Sequence, residues 1–409
     1  MTQETDLENV LVLETELWRD GPPHELFGEL RSKCPVHWTE RITDHPFEAG
    51  FWSVTKAEDT QAICRDWRTF SSEKGGFTAL TGGFASQLTR AMFIAMDPPK
   101  HDRLKALFQT AFTPKRIAGY EDAIRAIVVR TLERVATQDT CDLVSDVATP
   151  VVSRVIGNFM GIPEEDDATW AKLVTSSLGA GDKDLNPEGM KGLVERELPE
   201  IFEHCRHLIA ARRAHPTDDL TSVLVHAEID GKQLEEHEII MGFFLLMVGG
   251  NDSTKATYCS GMRALMEHPE QRRLLLDDPT LISGAVEESL RMFPPFPHFR
   301  RTATCDTTIG DQQIKEGDKV VMWFVSANRD EDLYEDPNRF DVTRNSEHQA
   351  FGGGGRHFCL GAALSRLELQ VLFEETVTRF PEMTLAGRPT MVESAFINQP
   401  KTLPVHLTP

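Results

Sequence analysis

Residues 351–361 read FGGGGRHFCLG, and this stretch constrains the chain more than any other. Four consecutive glycines, Gly352 to Gly355, free the backbone to take positive φ and to lie against a flat partner without intervening Cβ atoms. Arg356, His357 and Cys359 follow, directly ahead of LGAALSRLELQVLFEETV, whose apolar residues recur with helical spacing. A cysteine at a helix start has its thiolate favoured by the helix dipole and by free N–H groups, which suits a metal ligand. A phosphate-cradling loop would need Gly-Lys-Ser/Thr or the dinucleotide glycine spacing, and neither is present. Structural zinc would want paired Cys/His ligands, and no Cys-x-x-Cys or His-x-x-x-His accompanies Cys359. An inert buried cysteine after a flexible loop is the remaining plain reading.

The stretch resembles the haem-binding loop of the cytochrome P450 family, in which a cysteine thiolate is the proximal ligand of haem iron. It is similar to the variant FGG-x-G-x-H-x-C-x-G found in bacterial members acting on sterols and branched lipids. Phe351 stands one residue further from Cys359 than is usual, so one extra glycine has to be accommodated. The resemblance implies haem b (iron protoporphyrin IX), with Cys359 on the metal and with Phe351, Gly352, His357 and Gly361 around the cofactor. It also implies the mainly α P450 prism with a small β-rich region.

Composition narrows the setting. Within 409 residues there is no repeat, low-complexity tract or linker, so a single domain over residues 1–409 is expected. A formal charge of −21 argues against nucleic acid or anionic membrane as a general partner. The N-terminus lacks the basic and apolar regions of a signal peptide. The longest apolar run, residues 239–248, is about half of the ~20 residues a spanning helix needs, so no membrane anchor is expected. Seven cysteines without disulfide-like spacing fit a reducing cytoplasm, and a monomer is expected.

Along the chain, PVHWTE (residues 35–40) and GFWSVT (50–55) read as two short strands of a small sheet. The loop 70–90 carries two Gly-Gly pairs and the apolar Phe77, Leu80 and Phe84, a composition in which ligand contacts collect. His101 and Lys105 are four apart and share one face of a helix that follows Pro98 and Pro99. The resemblance makes them ligands of a haem propionate, although the family usually has arginine at the second position and an ammonium offers no bidentate fork. Residues 118–161 and 166–215 read as amphipathic helices broken at 179–192, a loop that the resemblance places between two lid helices over a substrate cavity.

A long helix from about Leu234 runs through IIMGFFLLMVGG to NDSTKATYCSGMRALMEH. Two adjacent glycines inside it, Gly249 and Gly250, are unfavourable by about 1 kcal/mol each relative to alanine and need a compensating reason. The polar residues after them resemble the family's oxygen-activating Gly-Gly-x-Asp-Thr. That resemblance gives Gly249 a close approach to haem and makes Asp252, Ser253 and Thr254 a proton relay, with Ser253 where the family usually has threonine. Serine keeps the hydroxyl but loses the methyl that restricts its rotamer.

Glu288 and Arg291 lie three apart on one helical face, and EDPNRFDVTR follows with Arg339. The resemblance makes Glu288, Arg291 and Arg339 a structural network behind the haem, and Arg301 a propionate ligand. Taken together it implies an oxidoreductase: a monooxygenase inserting oxygen from O2 into an apolar substrate, with a sterol, terpenoid or branched lipid favoured. Phe77, Leu80, Phe84, Phe244, Val248, Phe296 and Phe396 are the expected substrate contacts. Electrons are expected from a separate ferredoxin and its reductase, docking over a cationic patch of Lys100, Arg103 and Arg356. A peroxide-driven enzyme of the same fold and a non-enzymatic haem sensor or carrier are the alternatives; neither has a use for Asp252 beside Ser253.

Overall fold

The computed structural model describes residue 7 and residues 11–407 apart from 42–47, 81–89, 110, 230 and 346. As expected, helices dominate and strands are short. The architecture is built around one helix, Glu236–Glu267, whose 32 residues span about 48 Å at 1.5 Å per residue. Its start is fixed by a capping box in which the Glu235 side chain takes the N–H of Glu238 while Glu238 takes that of Glu235. It ends where His268 leaves helical geometry before Pro269.

This central helix is buried on several sides, by Ile239, Phe243 and Met247 in its first half and Tyr258, Met262 and Leu265 in its second. Helices Thr149–Met160, Asp167–Leu178, Ile282–Met292 and Ala362–Arg379 pack against it. One crossing is very close: a Cβ at Gly261 would stand 2.5 Å from both the Phe373 ring and Ser289 Oγ. A small residue there brings the helix carrying Ser289 and the helix following Cys359 onto one face of the central helix.

The two strands read from sequence form as Val36–Thr39 and Phe51–Val54, antiparallel. They are two strands of a five-stranded sheet, because Lys319–Trp323 adds in parallel to Phe51–Val54, then His298–Ala303 and Phe70–Ser71 add antiparallel beyond it. Alternation along His298–Ala303 puts Phe299 and Arg301 on one face, and both reach the cavity described below.

Two spans differ from the sequence reading. The helical span expected over 118–161 is interrupted: Thr140–Asp142 is a strand pairing with Pro404–His406, and Leu143–Ala148 is a π-helical turn capped by the Asp142 carboxylate. Pairing with a segment some 260 residues away overrides the local helical periodicity, as tertiary context commonly does. The expected break at 179–192 is shorter, because Gly189–Gly192 is already helical and leads through Leu193–Glu197 into Leu198–Ala214. Asp182 in that connection is buried and tied to the C-terminal segment by Lys401 Nζ at 3.0 Å and the Glu393 N–H at 3.1 Å. Among the described residues no helix is long and apolar enough to cross a membrane.

Candidate active site around Cys359

All four glycines of the loop take positive φ, at 97°, 62°, 94° and 79°, a run that side chains with a Cβ would strain at every step. At Gly355 there is also no room, since a Cβ would lie 2.4 Å from the Cys64 carbonyl oxygen. The run returns the chain on itself, so that the Cys359 N–H donates to the Phe351 carbonyl at 3.0 Å and the extra glycine is absorbed. Phe351 lies on the cavity wall with the Arg366 guanidinium 4.6 Å above its ring.

Cys359 precedes the N-cap, Gly361, of the helix Ala362–Arg379. Its accessible surface opens onto an apolar-walled cavity, so the thiol is exposed to that cavity and is otherwise deep in protein. Burial pushes the thiol up, while the N–H of Gly361, the charges of Lys105 and Arg366 and the N–H of Ala362 act in the opposite sense. The donors that favour a thiolate are therefore in place around Sγ.

His101, Lys105, Arg301 and His357 all line the same cavity. The rings of His101 and His357 are 4.3 Å apart. His357 is held neutral by burial and by the neighbouring Arg301, His101 and Lys105, and its Nε2 lies 3.3 Å from Ser72 Oγ. His101 Nδ1 is 2.9 Å from Asp102 Oδ1. Arg301 is buried on its strand, with Nη1 donating to the Arg300 carbonyl at 2.7 Å. Lys105 takes a different position from the one expected: its Nζ donates to the loop carbonyls of Arg356 at 2.6 Å and Phe358 at 2.8 Å. The cationic patch is also altered, since Lys100 is paired with Glu73 at 2.6 Å and Arg356 with Asp102 at 2.9 Å. Local acids cancel both charges.

The central helix presents Leu245, Leu246, Gly249, Gly250, Ser253, Thr254 and Thr257 to the cavity. The glycine pair divides its roles. A Cβ at Gly249 would meet nothing within 4 Å, leaving a gap in the wall, whereas one at Gly250 would touch Ile156 Cδ1 at 3.0 Å. Ser253 Oγ donates to the Gly249 carbonyl at 2.5 Å, and Thr254 Oγ1 shares a 3.3 Å hydrogen bond with Ser365 Oγ. Asp252 does not line the cavity; fully buried, it accepts from Lys255 Nζ at 2.5 Å and Thr175 Oγ1 at 3.0 Å, and its Oδ2 has no partner among the described residues. Thr175 and Lys255 in turn line a second, more polar cavity that opens to solvent.

The expected substrate contacts separate. Phe296 is in the cavity wall. Phe77 and Phe396 pack on Phe299 at 5.9 and 6.0 Å and stand behind that wall. Phe244 is turned into the core and the partly buried Val248 stands off the cavity wall, because one step along a helix rotates a side chain by about 100° and Leu245 and Gly249 take the cavity-facing positions. Leu80 is at the protein surface, and Phe84 lies outside the described residues. Behind the loop, Arg291 and Glu288 form a buried bidentate pair at 2.7 and 2.8 Å. Its third side chain is Arg344, 3.3 Å from Glu288 Oε1, and not Arg339, which is exposed, pairs with Asp341 and offers only its carbonyl to Arg291.

Sequence reasoning passed over Glu368. This carboxyl lines the cavity, is wholly buried, is pushed well up by that burial, and has an Oε1 without a partner. The available signal was position: Gly361, Leu364, Ser365 and Glu368 fall at i, i+3, i+4 and i+7, so an acid shares the apolar stripe.

These residues fit haem. A soft thiol ligand, N–H groups at its sulfur, a basic corner for carboxylates, apolar walls and the gap at Gly249 border one cavity, and the buried Arg301 side chain would be costly there without an anionic partner.

A sequence profile of the cytochrome P450 family matches residues 275–405. The chain is 37% identical over 397 residues to a methyl-branched lipid omega-hydroxylase of Mycobacterium tuberculosis, covering 95% of this chain and 90% of that protein. It is 32% identical to linalool 8-monooxygenase of Pseudomonas putida, covering 96% and 98%. Its fold matches a Mycobacterium marinum cytochrome P450 in complex with pseudoionone at a TM-score of 0.89 and 35% identity, over 94% of each chain.

Proposed function

The chain belongs to the cytochrome P450 family, and from that premise we propose that Cys359 ligates the iron of its haem b in an enzyme hydroxylating a branched apolar substrate with electrons from a separate ferredoxin. The chain is a P450 monooxygenase of apolar substrates. Haem b supplies oxygen activation, and a thiolate ligand favours O–O cleavage by pushing electron density to the metal. One oxygen atom enters a C–H bond, and electrons and protons reduce the other to water.

The observation that carries this reading is the placement of the Cys359 sulfur and the Gly249 gap on one cavity, with the Ser253 and Thr254 hydroxyls beside the gap. Arg301 and His101 hold the propionates in the basic corner. Ser253 holds a proton at its hydroxyl, with the Gly249 carbonyl fixing the direction of that O–H. Asp252 stands one residue away with an unpartnered oxygen, and its partners Thr175 and Lys255 border the solvent-connected cavity, so protons reach it from outside without crossing the apolar chamber. Glu368, a buried carboxyl on the same cavity, is a further proton holder.

The substrate side is made by Ile94, Phe112, Leu245, Leu246, Phe296 and Phe299, which offer shape and dispersion but few hydrogen bonds. The M. tuberculosis relative acts on methyl-branched lipid, the P. putida relative on linalool, and the M. marinum structure holds pseudoionone. These support a terpenoid or methyl-branched lipid chain, with a sterol as the bulkier member of the same apolar class. Residues 1–409 act as one unit in this reading.

The test is spectroscopic first. The reduced, CO-bound protein should show the strongly red-shifted Soret band of thiolate haem, and Cys359→His should lose it while retaining haem. A panel of terpenoids, branched lipids and sterols is then screened for displacement of the water on ferric haem, and binders are turned over with a surrogate ferredoxin system. Product formed only with peroxide, or binding without turnover, would favour the peroxide-driven or sensor readings instead.

A further inference from the structure

Lys105 reaches from the helix Lys100–Gln109 to the cysteine loop, and its buried ammonium donates to two main-chain carbonyls there, Arg356 at 2.6 Å and Phe358 at 2.8 Å. Those carbonyls flank His357, and the second belongs to the peptide bond that leads into Cys359. Holding that peptide plane fixes the Cα of Cys359, and hence the direction from which Sγ enters the cavity.

The need for such a hold is visible in the loop itself. Its four glycines all sit at positive φ, in the part of the chain with the most conformational freedom to lose. Main-chain bonds close the loop, from Cys359 N–H to the Phe351 carbonyl at 3.0 Å and from Phe358 N–H to the Gly355 carbonyl at 3.3 Å. Between glycines and cysteine the carbonyls point away from these bonds, and Lys105 collects two of them. An ammonium suits the task because its three N–H bonds diverge from one atom, whereas a guanidinium directs its donors in a plane. With two donors used on the loop, one is left for anything else.

We infer that Lys105 is a positioning residue for the thiolate: it clamps the loop by its carbonyls and presents Cys359 to the iron, instead of serving chiefly as a propionate ligand. The inference rests on Cys359 being the haem ligand.

The two roles separate in a cycle that combines Lys105→Met with reconstitution by haem dimethyl ester, which lacks the propionate charges. The reading is the rate at which the reduced, CO-bound holoprotein loses its red-shifted Soret band in mild denaturant. Losing bonds to a charged donor should speed that loss about tenfold or more. The clamp requires the same acceleration with native and esterified haem. An acceleration seen only with native haem, or none with either, overturns it. Should Lys105→Met fail to take up haem, Lys105→Gln is read in the same cycle by the same criterion. A parent protein without the red-shifted band would defeat the Cys359 assignment itself, a different result from a parent with the band and a propionate-dependent Lys105.

Discussion

Lys255 Nζ lies 2.5 Å from Asp252 Oδ1, and the two side chains, three positions apart on the central helix, are both buried. Lys255 also donates to Thr175 Oγ1 at 2.9 Å, which donates on to Asp252 at 3.0 Å, so one carboxylate oxygen is held twice while the other is free. The acid next to the cavity is thus tied to a cationic partner that does not line that cavity.

Removing that partner should be expensive. Lys255→Met leaves a buried carboxylate without its countercharge, and we expect a loss of about 3–5 kcal/mol in chemical denaturation of the holoprotein. Adding Asp252→Asn to Lys255→Met should restore part of it. Asp252→Asn alone should slow product formation about a hundredfold with substrate affinity unchanged. A Lys255→Met protein as stable as its parent would mean that the pair is not a desolvated ion pair.

The two central glycines should respond in opposite senses. Gly249→Ala adds a Cβ to open space, so the gain in helix propensity, about 1 kcal/mol, should appear in stability without haem, while the methyl narrows the cavity and weakens ligand binding in the holoprotein. Gly250→Ala pushes on Ile156 Cδ1 at 3.0 Å and should gain little or lose about 1 kcal/mol, with a smaller effect on ligand binding than Gly249→Ala. Ligand titrations and unfolding of both variants check this; equal behaviour would remove the distinction.

What was legible in the sequence was whatever is encoded locally. Four glycines before Cys359 announce an unusual backbone next to a ligand, and the polar break after Gly250 in an apolar helix announces a site, because each departure is costly and adjacent to its cause. Phe244 and Val248 stand off the cavity wall because the register of a helix buried on several sides depends on its neighbours. The partners of Lys105, and Thr175 beside Asp252, are set by chain pairs far apart in sequence, such as Lys105 with Phe358, and no local pattern specifies them; Lys255, three positions from Asp252, is the local exception. The same applies to Arg344, which stands beside Arg339 in one motif and differs from it only in where the turn after Pro337 sends each side chain.

That difference is measurable. Arg344 is nearly buried, reaches Glu288 and donates to the carbonyls of Glu335 at 2.7 Å and Asp336 at 3.2 Å, so Arg344→Met should lose about 2–4 kcal/mol and reduce haem retention. Arg339→Met breaks only an exposed pair with Asp341 and should change stability by no more than about 1 kcal/mol. Thermal unfolding and the ratio of haem to protein after purification compare the two. The reverse order would return Arg339 to the network.

The last expectation concerns the two adjacent hydroxyls. Ser253 Oγ is bonded to the Gly249 carbonyl at 2.5 Å across the gap in the wall, and Thr254, turned by about 100°, is engaged with Ser365 at 3.3 Å. A hydroxyl held by a carbonyl keeps its lone pairs toward the cavity and can accept a proton there or pass one on. Ser253→Ala removes it from the gap, so reductant should still be consumed while the product formed per reductant falls on the order of tenfold and hydrogen peroxide rises. Serine lacks the methyl that narrows the rotamer choice, so Ser253→Thr should tighten coupling above the parent. Thr254→Ala should affect coupling less, because its hydroxyl is directed to the helix that follows Cys359. If Thr254→Ala uncouples and Ser253→Ala does not, the oxygen site lies on the Ser365 side of the central helix, and the Thr254–Ser365 pair takes the role given to Ser253.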